Sequence, residues 1–255
     1  MAPKDKIPLV NELLPLFLVQ LEHSFQITSQ ERRNTVQSAF CGVLLEISRK
    51  LGNQIAPIAD RMMGVLLKLF SSSNSSVHED TILVIGAVSN ALGKNFERYL
   101  QHLVPFLVKS LQNFEGFFLI FYLKFFFLHF FQDHHVCSVA VSLVSDLTNS
   151  VGSLLFPYCD QIVQILLQSL KEEQLNRDVK PQILSCFGDI ALAIEDKFEK
   201  YFNYVMQVLY QASQTVHSDP TDLDYIDWVI TLFCRIFKKT VFKTLFFFFL
   251  KKLVE

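Results

Sequence analysis

Residues 36–66 read VQSAFCGVLLEISRKLGNQIAPIADRMMGVL and contain two apolar patterns of helical period that meet at Gly52. Apolar residues stand sixteen, eight, five and one positions before Gly52, and three, six, ten and fourteen positions after it. These spacings place side chains along one face of an α-helix. The stretch therefore predicts a helical hairpin: a helix A of roughly 16 residues, a short turn at the glycine, and a helix B of similar length.

The same pattern recurs around three further anchors, Gly93, Gly152 and Glu195. The upstream positions hold Val36, Val77, Val136 and Val179; Leu44, Ile85, Val144 and Phe187; Ile47, Val88, Leu147 and Ile190; and Leu51, Leu92, Val151 and Ile194. The downstream positions hold Ile55, Phe96, Leu155 and Phe198; Ile58, Tyr99, Tyr158 and Tyr201; Met62, Leu103, Ile162 and Val205; and Leu66, Leu107, Leu166 and Leu209. An ordinary helical bundle would not require four units to share these offsets, so the pattern indicates a repeat.

The anchors are 41, 59 and 43 residues apart, and the first and last spacings match the roughly 40–47 residues of HEAT or armadillo units. Because each unit has two helices rather than three, HEAT is favoured. We therefore predict an all-α fold, a HEAT-repeat α-α superhelix (ARM-type solenoid) of about four to five helical hairpins. The array should cover residues 31–215, with hairpins at about 33–70, 77–113, 134–170 and 178–215. Residues 1–30 are predicted as a partial helix, and residues 216–255 as an incomplete repeat with a tail rich in Phe and Lys.

An apolar insertion at residues 116–133 explains the long middle spacing. Residues 116–131 read GFFLIFYLKFFFLHFF and share no offsets with the repeat. The stretch is shorter than the roughly 20 residues of a membrane-spanning helix. We expect that it and the tail at 238–255 are translated intron, because a pyrimidine-rich tract read as codons yields Phe and Leu. A genuine aromatic insertion and a membrane tether remain alternatives.

Composition excludes several function classes. The formal net charge of −2 gives no electrostatic footprint for nucleic acid. Five widely spaced cysteines without a CxxC pair predict reduced, buried thiols rather than disulfides or a zinc site. No Walker loop, GxSxG or HExxH occurs, so we predict no enzymatic activity, no catalytic residues, no metal and no cofactor.

Several strings resemble the importin-beta (karyopherin beta) family of nuclear transport receptors. The most specific is RDVKPQILSCFGDIALAI at residues 177–194, accompanied by PYCDQIV at 157–163, LQNFE at 111–115 and HEDTILVIGAV from residue 78. The resemblance covers roughly residues 31–214. It implies a fragment from the later half of a receptor that carries protein cargo through nuclear pores, located in the cytoplasm, the nucleus and the nuclear envelope or pore.

The resemblance also implies partners. They are an importin-alpha adaptor or basic cargo segments, phenylalanine-glycine nucleoporins, and Ran-GTP. In this family the B helices line an acidic concave side that grips basic segments. The candidates here are Asp60 and Asp160, each eight residues past an anchor, and Glu97 and Glu199, each four residues past one. For each of them, a solvated helix face is the alternative.

Two other readings of the chain stay open. One is a HEAT-repeat scaffold subunit of another complex, such as a phosphatase regulatory arm. The other is a non-functional truncated gene product, since exposed Phe-rich segments would favour aggregation.

Overall fold

The computed structural model describes residues 7–71, 75–112, 134–172, 175 and 179–216. Within them the chain forms α-helices and no β-strand. The helices are α1 (Ile7–Ser24), α2 (Gln30–Leu51), α3 (Ala59–Ser71), α4 (Ser75–Leu92), α5 (Glu97–Leu111), α6 (His134–Val151), α7 (Cys159–Ser169), α8 (Val179–Ile194) and α9 (Glu199–Val216). The predicted insertion at 116–133 and all but the first residue of the predicted tail at 216–255 lie outside the described residues.

Each anchor joins a helix A to a helix B through a short 3-10 helix. These connections are Gly52–Ile58, Gly93–Phe96, Gly152–Tyr158 and Glu195–Phe198. Pro57 and Pro157 lie inside the 3-10 segments. The predicted hairpin had helix B follow a short turn directly, but the 3-10 segment takes up the first residues after the anchor and the α-helix begins only after it. Pro105 lies inside α5.

All four anchors have a positive φ angle. The φ angles are 52° at Gly52, 55° at Gly93, 58° at Gly152 and 52° at Glu195. Glu195 is the one non-glycine residue with positive φ in the described part of the chain. An L-residue pays roughly 1–2 kcal/mol for left-handed backbone. The turn therefore keeps its geometry in the fourth hairpin even though glycine is absent.

A pair of glycine substitutions separates backbone strain from crowding. A Cβ added at Gly52 or at Gly42 would meet no atom within 4 Å, but only Gly52 has positive φ. We expect Gly52→Ala to lower the free energy of unfolding by about 1–2 kcal/mol. Gly42→Ala, inside α2, should raise it by about 0.5–1 kcal/mol. Urea denaturation of the two variants measures both changes, and equal signs would contradict the assignment of the turn.

The described contacts form two units, Met1–Phe106 and Leu107–Glu255, which are described separately. In the first unit α2 packs along α4, and α3 packs against α4. In the second unit α6 packs along α8, and α7 contacts both α8 and α9. Helix A therefore packs on the helix A of the next hairpin, as expected of stacked repeats. The largest fully buried side chains include Phe96, Phe187 and Phe198.

Hydrogen bonds between successive A helices recur at one pair of positions. In the first unit the Ser38 hydroxyl donates to the carboxylate of Asp80. In the second, the Ser138 hydroxyl donates to Oε1 of Gln182 at 2.8 Å. Each serine lies fourteen residues before its anchor, and each acceptor thirteen before the next. Within each unit, neighbouring A helices are therefore stacked in the same register.

The burial of the repeat positions departs from the prediction in the first hairpin. Val36, Ile47 and Leu51 are only partly buried, whereas the residues at the same offsets in the three later A helices are at most 5% exposed. The offsets alone treat all four units as equivalent. The physical reason for the difference is that α2 packs along another A helix, α4, on one side only within the described residues.

The four cysteines within the described residues are free and buried. Burial raises the pKa of Cys41, Cys137 and Cys159 to about 12, and that of Cys186 is also raised, mainly by burial. Such thiols are unreactive packing residues. Cys234 lies outside the described residues.

Val136–Ser169 is long and apolar enough to pass a composition test for one membrane-crossing segment. In the structure it consists of α6 and α7, separated by the 3-10 turn Gly152–Tyr158. Its apolar side chains, such as Val144, Leu147 and Leu166, are buried in the repeat core. These features are those of a helical hairpin with a buried apolar face rather than of one continuous spanning helix.

Candidate functional site

The four predicted acidic residues lie at the beginnings of the B helices. Asp60 is in the first turn of α3 and Asp160 in the first turn of α7. Glu97 and Glu199 are the first residues of α5 and α9. All four are exposed. Acidic side chains are favourable at this end of a helix because the backbone amides there carry partial positive charge.

Asp60 is bound to the next B helix. The Tyr99 hydroxyl donates a hydrogen bond to Oδ1 of Asp60 at 2.5 Å, and Nη1 of Arg98 lies 3.6 Å from the same oxygen. The Tyr99 ring packs edge-on against Phe96, with centroids 5.3 Å apart. The tyrosine is 8% exposed, while the Asp60 side chain is 75% exposed. A buried ring therefore presents its hydroxyl to a carboxylate in solvent.

Asp160 is held in the same way in the second unit. The Tyr201 hydroxyl donates to Oδ1 of Asp160 at 2.5 Å, and Nζ of Lys200 lies 2.5 Å from that oxygen. The Tyr201 ring packs near Phe198, with centroids 5.9 Å apart. Lys200 also lies over the Tyr201 ring, 5.0 Å from its centroid. We name each acid–tyrosine–cation set a clasp: Asp60 with Tyr99 and Arg98, and Asp160 with Tyr201 and Lys200.

The two clasps occupy the same repeat positions. Each acid is eight residues past its anchor, each tyrosine six past the next anchor, and each cation five past it. The hairpin anchored at Gly93 has Gln101 where the acid would stand, so its amide cannot supply a carboxylate. The sequence contained both the acid pattern and the tyrosine pattern. The sequence does not show that successive B helices lie close enough side by side for the acid of one to meet the tyrosine of the next.

The clasps change the acidity of their members. Hydrogen bonds from Lys200 and then Tyr201 lower the pKa of Asp160, so this carboxylate stays charged well below neutral pH. Burial first, and then the hydrogen bond to Asp60, raise the pKa of Tyr99 to about 12. Burial and the bond to Asp160 likewise raise the pKa of Tyr201. Both tyrosines therefore remain protonated donors across the physiological range.

A titration tests the first clasp. Asp60→Asn should move the pKa of Tyr99 from about 12 toward the ordinary value of about 10, with the part caused by burial remaining. Because the raised pKa belongs to the folded state, the clasp's stability is intact below about pH 10 and is lost as the pH rises toward about 12. NMR of tyrosine labelled at Cζ follows the single hydroxyl. Glu97→Gln is the matched control, and an equal shift in that variant would contradict the Asp60 bond.

A groove lies beside the second clasp. It has a volume of about 460 Å³ between α7 and α9, and its lining includes Asp160, Leu167, Lys171, Tyr201 and Tyr204. Tyr204 is 64% exposed. An exposed aromatic ring near a carboxylate suits the aliphatic stem and the charged head of a lysine or arginine. The groove can therefore hold a cationic side chain.

Four further residues lie outside the clasps. Val84 and Leu143 on the A helices are 0% and 1% exposed and belong to the core. Asp146 and Asp189 have interaction partners. Among the described residues, no group of three or more His, Cys, Asp or Glu side chains could hold a metal ion.

Comparison with known proteins gives concordant results. The profile of the family described as "Importin subunit beta-1-like, TPR repeats" matches residues 1–239. Importin subunit beta-1 of Schizosaccharomyces pombe is 38% identical over 235 residues, which cover 89% of this chain and 25% of that protein. Its counterpart in Arabidopsis thaliana is 34% identical over 235 residues, covering 88% and 25% respectively. The chain thus spans about a quarter of the length of these relatives.

Solved structures show the same fold. A crystal structure of importin beta superposes with a TM-score of 0.75 at 35% identity, over 92% of this chain and 26% of that one. Kap95p solved with RanGDP gives 0.69 at 25% identity, over 92% and 26%. The Kap95:Nup1 complex gives 0.73 at 24% identity, over 97% and 28%, a likeness in fold alone. The predicted all-α HEAT-repeat fold is therefore confirmed.

Proposed function

The chain belongs to the importin subunit beta-1-like family, and we propose on that basis that it is a section of a nuclear import receptor that binds other proteins and catalyses no reaction. The observation that carries this proposal is the family match over residues 1–239. Because the chain spans about a quarter of its relatives, it supplies part of a receptor's binding surface. Its location would follow that of such receptors, in the cytoplasm, the nucleus and the nuclear pore.

We propose the two clasps as contact points for basic segments of an importin-alpha adaptor or of cargo. In each clasp the tyrosine and the cation both approach Oδ1 of the aspartate. The two aspartate side chains are nevertheless exposed, by 75% at Asp60 and 64% at Asp160. A lysine or arginine from a partner can therefore reach either carboxylate and form a charge-assisted hydrogen bond with it.

Glu97 and Glu199 each lie beside the clasp of their own unit. Each begins the B helix that also carries the clasp tyrosine, two residues further along. Both are exposed and therefore add negative potential beside the clasps. Exposed charges of this kind raise the rate of association with a cationic partner more than they raise the final affinity. We therefore assign Asp60 and Asp160 the larger share of affinity, and Glu97 and Glu199 the steering role.

Phenylalanine-glycine nucleoporins and Ran-GTP are further proposed partners. Support comes from the relative Kap95p, whose structure was solved with RanGDP. The burial of Val84 and Leu143 means that nucleoporin phenylalanines would have to use side chains other than these two. The structure assigns no residue to either partner.

A binding experiment with the intact chain tests the proposed function. Immobilised chain would be presented with an importin-beta-binding peptide of importin-alpha, with nucleoporin phenylalanine-glycine repeats, and with Ran loaded with a GTP analogue. Binding to the first or second is the expected result. Failure to bind all three by a folded chain would overturn the proposal. Binding to a phosphatase catalytic subunit instead would favour the scaffold alternative.

A further inference from the structure

One side of the groove between α7 and α9 is formed by a single line of side chains. It consists of Asp160, Gln164, Leu167, Gln168 and Lys171, all of which line the groove. Counted from Asp160, the other four stand four, seven, eight and eleven residues further on, and these spacings place all five on one face of a helix. Lys171 lies two residues past the end of α7, where its backbone amide still donates to the carbonyl oxygen of Gln168 at 3.0 Å. We name these five residues the groove stripe.

The two ends of the groove stripe carry opposite charges. Asp160 is in the first turn of α7, and its side chain is 64% exposed. Lys171 stands at the other end and is also exposed. Eleven residues along a helix axis correspond to about 16 Å. A bound segment with a cation at one end and an acid at the other would therefore meet a complementary charge at each end.

Uncharged side chains occupy the middle of the groove. Leu167 is partly buried, while Gln164 and Gln168 are exposed. Tyr204 of α9 is 64% exposed and lines the groove opposite them. Leu167 and the Tyr204 ring can cover an apolar side chain from both sides. The middle of the groove therefore suits an aliphatic residue.

The two glutamines favour an extended ligand over a helical one. Each side-chain amide can donate and accept hydrogen bonds, and the two residues, four apart on a helix, are spaced by about 6 Å along its axis. Backbone groups on the same side of an extended chain recur every second residue, at about 6.6 Å. A helical ligand uses its backbone groups in its own hydrogen bonds and offers the glutamines no such partners. The amides are therefore matched to an extended backbone.

The first unit has a clasp but lacks these other features. The two positions held by glutamine in the groove stripe are Gly64 and Lys68 there. Lys68 lies over the ring of Phe25, with Nζ 4.3 Å from the centroid. The position of Tyr204, nine residues past the anchor, holds His102. The chemistry of the groove therefore belongs to the second unit and is not shared by the equivalent positions of the first.

We propose that the groove between α7 and α9 binds an extended segment of a partner protein that carries both charges. The segment has Lys or Arg to pair with Asp160, an aliphatic residue to pack on Leu167 and Tyr204, and Asp or Glu to pair with Lys171. At about 3.3 Å per residue, an extended chain covers the length of the groove stripe in about five residues. The inference rests on the proposed role of the chain in binding other proteins, and it specifies the partner segment as one of mixed charge.

The test titrates the intact chain with the peptide Lys-Thr-Leu-Thr-Glu, capped at both ends to remove the terminal charges. Threonine favours the extended conformation, which places the lysine, leucine and glutamate on one side. Binding is followed by the methyl NMR signals of Leu167, which should shift until saturation. The peptide Lys-Glu-Thr-Thr-Leu has the same composition with its charges adjacent, and it should bind at least about fivefold more weakly.

Charge reversal at Lys171 tests the register of the peptide. Lys171→Glu should weaken binding of the first peptide at least about fivefold, because a pair of opposite charges becomes a pair of like charges. The peptide Lys-Thr-Leu-Thr-Lys should in turn bind this variant more tightly than it binds the wild type. Lys94→Glu makes the same change in net charge at an exposed position of the first unit, and binding should change less than twofold. Tyr204→Ala keeps every charge and should weaken binding about threefold.

Four results would overturn the proposal. They are the absence of a shift at Leu167, equal binding of the two peptides of the same composition, unchanged binding by the Lys171→Glu variant, and tighter binding of a helical peptide of about 16 residues whose lysine and glutamate are eleven residues apart. The last result would assign the groove to a helical partner.

The outcome for the groove is separable from the outcome for the proposed function. A chain that binds the importin-beta-binding peptide or the nucleoporin repeats, but not Lys-Thr-Leu-Thr-Glu, would keep the receptor role and contradict the groove. A chain that binds this peptide at Leu167, but none of the three receptor partners, would support the groove and contradict the transport role.

Discussion

Replacement of Phe96 by alanine is expected to lower the free energy of unfolding by about 3–5 kcal/mol. Phe96 is fully buried three residues after the anchor Gly93, and its ring supports Tyr99 at 5.3 Å between centroids. Removal of the Phe96 ring leaves a cavity, and it also removes the packing that holds the Tyr99 ring and its hydroxyl in place. Urea denaturation followed by circular dichroism measures the loss.

Phe96→Leu is the control for this substitution. The same repeat position holds Ile55 in one hairpin and Leu155 in another, both at most 1% exposed. An aliphatic side chain therefore fits the position, and the leucine variant should lose less than about 1.5 kcal/mol. If the leucine and alanine variants were equally unstable, the equivalence of the repeat positions would be contradicted.

Removing the clasp carboxylates is expected to weaken the binding of a basic importin-alpha peptide by up to about fivefold at each clasp. Each exposed pair is worth up to about 1 kcal/mol, which corresponds to about fivefold in affinity. The variant is Asp60→Asn with Asp160→Asn, measured by isothermal titration calorimetry at low salt. The loss should shrink as salt is added, because the pairs are exposed.

Two further variants test whether the Asp160 carboxylate itself binds the peptide. Lys200→Gln removes the cation that lies 2.5 Å from Asp160 and should strengthen peptide binding, since the partner no longer competes with it. Tyr201→Phe removes the hydroxyl but keeps the carboxylate, so binding should change less than twofold. Unchanged binding in the double asparagine variant would exclude the clasps as the site while leaving the family assignment intact.

The repeat was predictable because a buried helical face requires apolar residues at fixed offsets. The placement of Val77, Val136 and Val179, all buried, follows directly from that requirement. The clasps were only half predictable: Asp60 and Asp160 were selected for their charge, but their partners Tyr99 and Tyr201 were assigned to the apolar stripe. A tyrosine serves both roles because its ring packs and its hydroxyl bonds.

The lower burial of Val36 and Ile47 was not predictable from the offsets. Both fit the pattern as well as their later equivalents do, but α2 packs along only one other A helix, α4, within the part of the chain that the structure describes. The 3-10 segments were missed for another reason. Gly52 and Pro57 mark the turn between the helices, but neither determines how many residues the turn consumes.

Glu195 shows which part of the turn the protein must preserve. It adopts the left-handed backbone of the three glycine anchors, held between the buried side chains of Ile194 and Phe198, which are 2% and 0% exposed. The buried flanking residues hold the bend, and a residue other than glycine can stand at its apex at a cost of roughly 1–2 kcal/mol. Hairpins of this type should tolerate the loss of their glycine far better than the loss of the apolar pair that brackets it.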